Sequence, residues 1–452
     1  MSAIPSPFPG SHLVLASIIL YTLIHLFAKS WALSIDGYER GNRFRLISVA
    51  KLEISMFVLN IFVYHQLMKW FQDDQKQYGK FGATARRKTK QRASISLIIF
   101  LFLAHALYFM YYAPTWMQWL FFDLTSIACG LWTNVMAFVC GFFLVNLLIT
   151  PFQNFKPTAC LIALFSKVNY FKKLLFDRKE QIKFTFGFSI VLSLLMWYGA
   201  DKIVIKEREF RIGNFTGDRE LRFAVVSDIH AGASVYIEQV NRVAEALLSL
   251  KLDAVFIVGD MVDGEVKDIG KRVSPMFTVA QRFPTYFVTG NHDYYIGNVQ
   301  EWLDLYKKNG IRVLSNEATM IHNICLAGAT DIASHKAGIV SQEMNISLAL
   351  SHCPPAGKAT RVLLAHNPAS VREIAASDLK TIDLVLSGHT HAGQFYVVFP
   401  AVYWILPYFY GVYDLPHPST GKLMITAGSL YQGPPMKMLQ MSEIWVVTLK
   451  NV

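Results

Sequence analysis

Apolar and polar positions are distributed differently in the two halves of the chain. Up to about residue 204, long apolar runs alternate with polar stretches; beyond residue 220, the apolar runs shrink to a few residues and end in polar clusters. A helix needs about 20 apolar residues to cross a hydrocarbon core roughly 30 Å thick. Runs of that length predict membrane helices at 12–32, 48–68, 94–114, 126–150 and 184–204. The second carries Lys51 and Glu53 near its start, which makes it the least typical. Residues 116–122, WMQWLFF, read as an interfacial aromatic stretch ahead of the fourth run. A cleaved signal peptide is the competing reading of the first run, but residues 1–11 hold no Lys or Arg and no small-residue cleavage pattern follows. A retained helix is expected.

In the second half, RFAVVSD (222–228), AVFIVGD (254–260), TYFVTGN (285–291), RVLLAHN (361–367) and LVLSGHT (384–390) each read as a β-type run ending in polar residues. Between them, 236–250 has the 3.6-residue period of an amphipathic helix, and 298–309 and 368–377 are expected to be helical too. Alternation of strands and helices predicts an α/β domain whose site lies just beyond the carboxyl ends of its strands. The expected organisation is a multispan α-helical membrane region over 1–204 followed by an α/β domain over 205–452.

Composition sharpens this division. The chain is 53% hydrophobic and 17% charged, too apolar for a wholly soluble protein. Its formal charge of +11 suggests a nucleic-acid binder until the charge is divided. Residues 1–200 hold 20 Lys and Arg against 8 Asp and Glu, whereas residues 201–452 hold 23 against 24. The basic excess therefore flanks the membrane helices, and no basic stripe remains for a phosphate backbone; no nucleic-acid partner is expected.

Orientation follows from the same charges. Eight Lys and Arg fall in 69–93, including RRKTKQR at 86–92, and seven fall in 151–183, against Arg40, Arg43 and Arg45 in 33–47 and none in 115–125. Positive charge favours the cytoplasmic side, which places residues beyond 205 in a lumen or outside the cell. The 86–92 heptapeptide is a topology determinant that can also touch anionic lipid. Two glycosylation acceptors, Asn214-Phe215-Thr216 and Asn345-Ile346-Ser347, lie in that half. Cys325 and Cys353 are its two cysteines, readable as a disulfide or as free thiols.

The strand ends carry the chemistry. Asp228 and His230 follow the first run, and their spacing lets both side chains leave an extended segment on one side. Asp260 follows the second, Asn291, His292 and Asp293 the third, His366 the fourth, and His389 and His391 the last. Each histidine alone is ordinary. Their recurrence at successive strand ends points to metal ligation, and carboxylate, imidazole and amide together suit Mn²⁺, Fe or Zn²⁺. The count exceeds one tetrahedral zinc, and two ions sharing the Asp260 carboxylate account for it. His322, His335, His352 and His417 fit no such position.

The ordered motifs SDIH, GDMVDG, GNHDYY, AHNP and GHTHAGQ resemble the calcineurin-like metallophosphoesterase superfamily over about residues 220–450, and are most similar to its membrane-associated and exported branch. The resemblance implies a two-sheet β-sandwich flanked by helices. It also implies two divalent metal ions: Asp228, His230 and His391 on the first, Asn291, His366 and His389 on the second, and Asp260 between them. Two features depart from the pattern. Ala392 stands where this branch commonly has glycine, and QGPPMKMLQMSEIWVVTL, near the C-terminus, replaces a stretch that often carries an Arg and a Pro-Glu pair. The expected reaction is hydrolysis of a phosphate ester, a phosphodiester or pyrophosphate by preference, with His292 protonating the leaving oxygen and Asp293 orienting it. A supporting role for His292 in its loop is the plainer reading.

The aromatic stretch 395–416 reads either as core or as an apolar lip, with Trp404 and Phe409, that admits a lipid-linked phosphate from the bilayer. A catalytically silent module on a membrane scaffold is the other functional class, disfavoured because every expected ligand is present.

Overall fold

The computed structural model describes residues 11–71, 80–113, 115–149, 155–213, 215, 220–232 and 234–451. Asn214 and Thr216 of the first glycosylation acceptor lie outside the described residues. The chain forms two compact units: Met1–Leu26 with Val49–Leu195, and Phe27–Ser48 with Met196–Val452. The second unit thus includes a segment between the first two apolar runs as well as the C-terminal half.

Five helices among the described residues are long and apolar enough to cross a membrane: His12–Leu33, Tyr38–Phe71, Ala85–Met110, Leu120–Ile149 and Arg178–Gly199. They match the five expected runs, with shifted ends. The fourth continuous helix begins at Thr115, because nothing between 115 and 126 breaks helical geometry, so the aromatic stretch is its first turns. The last runs from Arg178 to Gly199 rather than to 204, and the chain then enters the strand Val204–Arg211. The expected loop around RRKTKQR is instead helical, within Lys80–Met110.

Polar side chains in the first unit turn inward and pair. Trp132 Nε1 donates to Asn60 Oδ1 at 2.6 Å, Asn134 Nδ2 donates to Ser193 Oγ at 2.9 Å, and Glu53 contacts His105. In an apolar solvent such bonds hold helices together where a hydrophobic driving force is lacking. Phe138, Phe142, Phe184 and Phe188 add edge-to-face contacts between two of the helices.

The second unit is built on two six-stranded sheets. In spatial order the first runs Val204–Arg211, Glu443–Lys450, Leu221–Val226, Ala254–Val258, Thr285–Val288 and Ile311–Val313. The second runs Gly411–Asp414, Lys422–Ile425, Leu384–Ser387, Thr360–Leu364, Ile324–Gly328 and Glu317–Ile321. The period of two along each strand explains the layering. Phe223, Val225 and Phe256 face Leu326, Leu364 and Leu386 of the opposite sheet. Their neighbours Ala224, Val226 and Ile257 face the other way, against Val243 and Leu247 of the helix Ile237–Leu248 and Trp302 and Tyr306 of the helix Val299–Lys308. Leu363 and Val385 of the second sheet pack outward on Ile346, Leu350 and Leu379. The result is the expected two-sheet sandwich with helices outside both sheets.

Three details differ from or complete the sequence reading. Residues 368–377 form a 3₁₀ turn, Pro368–Glu373, and a short helix, Ala376–Leu379, in place of one helix. The stretch 395–416 holds a helix, Phe399–Ile405, and a strand, Gly411–Asp414. Cys325 and Cys353 form a disulfide with Cα atoms 5.7 Å apart.

Phe256 is the centre of the sandwich, fully buried, with the Phe223 ring 4.4 Å and the Tyr286 ring 5.9 Å away. Phe256→Ala is expected to destabilise this unit by about 3–5 kcal/mol, read as a melting temperature lower by roughly ten degrees in the detergent-solubilised protein. Phe256→Leu should lose less than half of that.

Candidate active site

Five loops at the carboxyl ends of strands meet at one edge of the sandwich. The bend after each strand is tight, and five of the candidate ligands take left-handed backbone conformations: Asp228 (φ 53°), His230 (φ 50°), Asp260 (φ 53°), His389 (φ 73°) and His391 (φ 50°). Such angles are unfavourable for residues other than glycine and cluster where structure is committed to function. Glycines make room for the approach. A Cβ on Gly290 would overlap the Asp260 carboxylate, and one on Gly388 would overlap Ser227 Oγ and the Asp228 carboxylate.

Two groups of candidate donors hold the expected ligands, all buried or nearly so, and a third group, His230, Asp263 and His292, shares His230 with the first. In the first, Asp228 Oδ1 lies 3.2 Å from His391 Nε2 and 3.8 Å from His230 Nε2, while His230 Nε2 faces His391 Nε2 at 3.1 Å. In the second, Asp260 Oδ2 lies 3.0 Å from His366 Nε2, and His389 Nδ1 lies 2.6 Å from Asn291 Oδ1. Asp260 joins the sets, since the same Oδ2 is 3.7 Å from His230 Nε2. All seven expected ligands are therefore in one cluster.

The hydrogen-bond pattern tests whether this donor set suits cations. His366 Nδ1 donates to the Val258 carbonyl at 2.7 Å, which leaves Nε2 as the nitrogen aimed into the cluster, where it is buried without a hydrogen bond of acceptable geometry. A histidine fixed through one nitrogen by a carbonyl, with the other directed at carboxylates, is the arrangement metal-ligating imidazoles adopt. The two facing imidazole nitrogens of His230 and His391 are a repulsive lone-pair contact unless a proton or a cation lies between them. The residues fit divalent cations bound by nitrogen and oxygen.

Charge compensation inside the cluster is strong. Burial penalises the Asp228 carboxylate, but His391, His230 and His366 outweigh it and hold the group well below its usual range. Burial also opposes ionisation of Asp260 and Asp263, and again neighbouring histidines reverse the balance and lower both. His230, despite its burial, is raised to about 10 by Asp263, Asp228 and Asp260. Burial pushes His389 down to about 4 with help from His366, and pushes His391 down to about 3 against the pull of Asp228.

His292 and Asp293 do not form the expected pair. His292 Nδ1 meets Asp263 Oδ1 at 2.5 Å, and its Nε2 lies 2.7 Å from Gln432 Nε2. Asp293 Oδ2 instead accepts the backbone N–H groups of Gly290 at 2.7 Å and Asp260 at 3.1 Å, fixing the turn that carries Asn291. Adjacent residues on a 3₁₀ turn point to different sides, so His292 reaches across to another loop for its carboxylate. Burial and the adjacent Asp260 charge raise Asp293 to about 8. Asp263 also lies 3.2 Å from His230 Nδ1, so one carboxylate orients two histidines.

Three further residues had no role in the sequence reading. Asp263 is the second carboxylate of GDMVDG, and that motif was its only signal. Gln432 comes from QGPP, about 140 positions from the histidine it touches. Lys437 is fully buried and donates to the Gly428 carbonyl at 2.9 Å and to the Leu430 carbonyl; burial lowers it to about 7. These C-terminal residues occupy the stretch that lacks the usual Arg. Ala392, in the left-handed region at φ 48°, is buried against Phe409, Ala427 and Met438.

Comparison with known proteins agrees with this geometry. Residues 221–393 match the model of the calcineurin-like phosphoesterases. Over 238 residues the chain is 34% identical to the zebrafish (Danio rerio) transmembrane protein with metallophosphoesterase domain, covering 51% of this chain and 53% of that protein. The protein of the same name from Bos taurus is 34% identical over 240 residues, with 51% and 53% covered. The chain thus spans about half the length of these curated relatives. A metallophosphoesterase of Aquifex aeolicus is 30% identical over 237 residues, which cover 51% of this chain and 86% of the bacterial protein. With the motifs, the two-sheet sandwich and the ligand cluster in register with that match, the chain belongs to the calcineurin-like metallophosphoesterases.

Proposed function

We propose that the protein is a membrane-anchored phosphoesterase that uses two divalent cations, of Mn, Fe or Zn, to hydrolyse a phosphodiester or pyrophosphate. The observation that carries this is the position of Asp260, whose Oδ2 is shared between His366 Nε2 at 3.0 Å and His230 Nε2 at 3.7 Å. Asp228, His230 and His391 would hold one cation, Asn291, His366 and His389 the other, and Asp260 both. Bound there, such cations supply an acidified water and neutralise phosphoryl oxygens. The protein's own part is to hold the phosphate and to protonate the leaving oxygen. His292 is the candidate for that work, with its Nδ1 held by Asp263 Oδ1 at 2.5 Å and its Nε2 2.7 Å from Gln432 Nε2.

The phosphoesterase unit is assigned to the extracytoplasmic side. Fifteen basic residues in 69–93 and 151–183 against three in 33–47 support this. So do the Cys325–Cys353 disulfide, which persists in oxidising compartments, and the exposed Asn345, whose Oδ1 caps a helix through Leu348 N–H and leaves its amide nitrogen outward.

A lipid-linked substrate is supported by the helix Phe399–Ile405. Trp404 is 84% exposed, Ile405 75% and Tyr403 56%, a contiguous apolar surface that water disfavours. The helix starts next to the metal-site loop, with Phe399 N–H donating to the Phe395 carbonyl and Phe395 N–H to that of Gly393. Phe409 is not part of this surface. It is 2% exposed and packs between Ala392 and Met438, while its carbonyl accepts from Thr390 Oγ1 at 2.6 Å. The stretch is therefore lip at its helix and core at Phe409.

Metal analysis of the full chain in detergent, followed by hydrolysis of chromogenic mono- and diesters, tests the reading. Asp260→Asn is expected to lose most metal and nearly all turnover, whereas His292→Ala keeps the metal and slows turnover by about 10²–10⁴-fold, most for poor leaving groups. Equal metal loss in both variants would refute the division of roles.

Glycosylation of Asn345 in a eukaryotic host, seen as an endoglycosidase-sensitive mass shift that Asn345→Gln removes, is expected. Digestion of residues 205–452 by protease added to the cytosolic face of sealed vesicles would contradict the assignment.

A lipid-linked diester should be cleaved faster than a soluble ester with the same head group. Replacing Tyr403 and Trp404 by Ser should narrow that gap and leave the soluble rate within about twofold. Equal rates in the unmodified protein would dismiss the lipid.

A further inference from the structure

The segment Phe27–Ser48 belongs to the same compact unit as the phosphoesterase sheets. Its backbone and glycines fit the loops around the site. Gly37 N–H approaches the Gly338 carbonyl at 3.4 Å, and a Cβ on Gly41 would stand 3.0 Å from the Tyr294 carbonyl oxygen. Tyr294 closes the turn that carries His292. The segment therefore lies along the metal-site loop that bears the proposed proton donor.

It brings three arginines, and two are spoken for. Arg40 Nε donates to the Ile35 carbonyl at 2.7 Å and its guanidinium pairs with Asp36. Arg43 donates to the Trp31 carbonyl and to Ser34 Oγ, both at 2.9 Å. Arg45 differs. Among the described residues it has no carboxylate partner and no hydrogen bond; its guanidinium stacks over the Tyr295 ring, 4.6 Å from the centroid. The Tyr295 ring in turn meets the His292 ring at 4.9 Å and 60°. One aromatic ring thus separates a half-buried, unpaired guanidinium from the histidine assigned to the leaving oxygen.

A guanidinium held over an aromatic face and not by a carboxylate keeps N–H donors available in the planar fork that matches a phosphate. Through Tyr295 it neighbours His292, the residue assigned to the leaving oxygen. The C-terminal stretch that often supplies an Arg in this branch offers here only Lys437, which is buried on carbonyls. We infer that Arg45, near the start of the helix Tyr38–Met68, forms a leaving-group subsite that holds a second phosphate of the substrate. This rests on the phosphoesterase reading and narrows it to a bis-anionic substrate, of which a lipid pyrophosphate and a lipid phosphodiester with a phosphorylated head group are the two forms. In sequence Arg45 stands three residues before the apolar run at 48–68.

The test uses the full chain in detergent with Mn²⁺ and two aryl methyl phosphodiesters whose leaving groups differ only by a phosphonate substituent. Arg45→Ala is expected to raise KM for the phosphonate-bearing ester about tenfold, the usual worth of a charge-assisted hydrogen bond, with kcat and the plain ester nearly unchanged. Arg45→Lys should recover part of the loss. Equal change in KM for both esters, or a melting temperature lowered in both variants, would mean that the Arg45–Tyr295 stack only braces the loop, and would overturn the subsite. An unchanged KM for the phosphonate ester would do the same. Should the metal-loaded protein cleave neither ester, the phosphoesterase reading fails by itself. Calorimetric affinities for benzene-1,4-diphosphonate and phenylphosphonate then decide the subsite. A preference for the diphosphonate that Arg45→Ala abolishes supports it, and a preference of unity in the unmodified protein rejects it.

Discussion

The structure depends on keeping four carboxylates out of water at one edge of a sandwich. Asp228, Asp260, Asp263 and Asp293 are all nearly inaccessible, and an isolated buried carboxylate is untenable. The cost is offset locally by imidazoles, by backbone N–H groups on Asp293, and by the cations the donor set suits. The compensating groups come from several loops of both sheets, so the charges fasten the strand ends to one another. The apolar layers hold the sheets; the carboxylates hold the loops.

What the sequence revealed follows from which interactions are local. The strands ending at 226, 258, 288, 364 and 387 were legible because each carries its burial pattern and its terminal ligand within a few residues. The five membrane helices were legible by length and composition, and their ends were not, since helix continuation through 115–125 and termination at Gly199 depend on neighbours that no apolar run records. The seven clustered ligands were legible because each follows a strand. The partner of His292 was misread because proximity in sequence, to Asp293, competes with proximity in space, to Asp263, and a 3₁₀ turn separates adjacent side chains. Gln432, Lys437 and Arg45 carry no local signal, since each reaches its place by tertiary packing alone.

The two aromatic features near the site do opposite things. Phe409 is drawn inward by a small cluster that also absorbs the strained Ala392, while Trp404, five residues earlier, is turned out by one short helix. The disulfide ties the strand bearing Cys325 to the residue after a peripheral helix, bracing the sheet layer farthest from the first.

The left-handed backbone at Asp228, His230, Asp260, His389 and His391 sets stability against chemistry. Each such residue costs on the order of 1 kcal/mol relative to glycine, and backbone bonds such as Asp228 N–H to the Gly259 carbonyl and His230 N–H to the Asp260 carbonyl hold the bends in place. A chain of this fold freed from the need for hydrolysis would gain stability by replacing these ligands with glycine or by letting the loops relax.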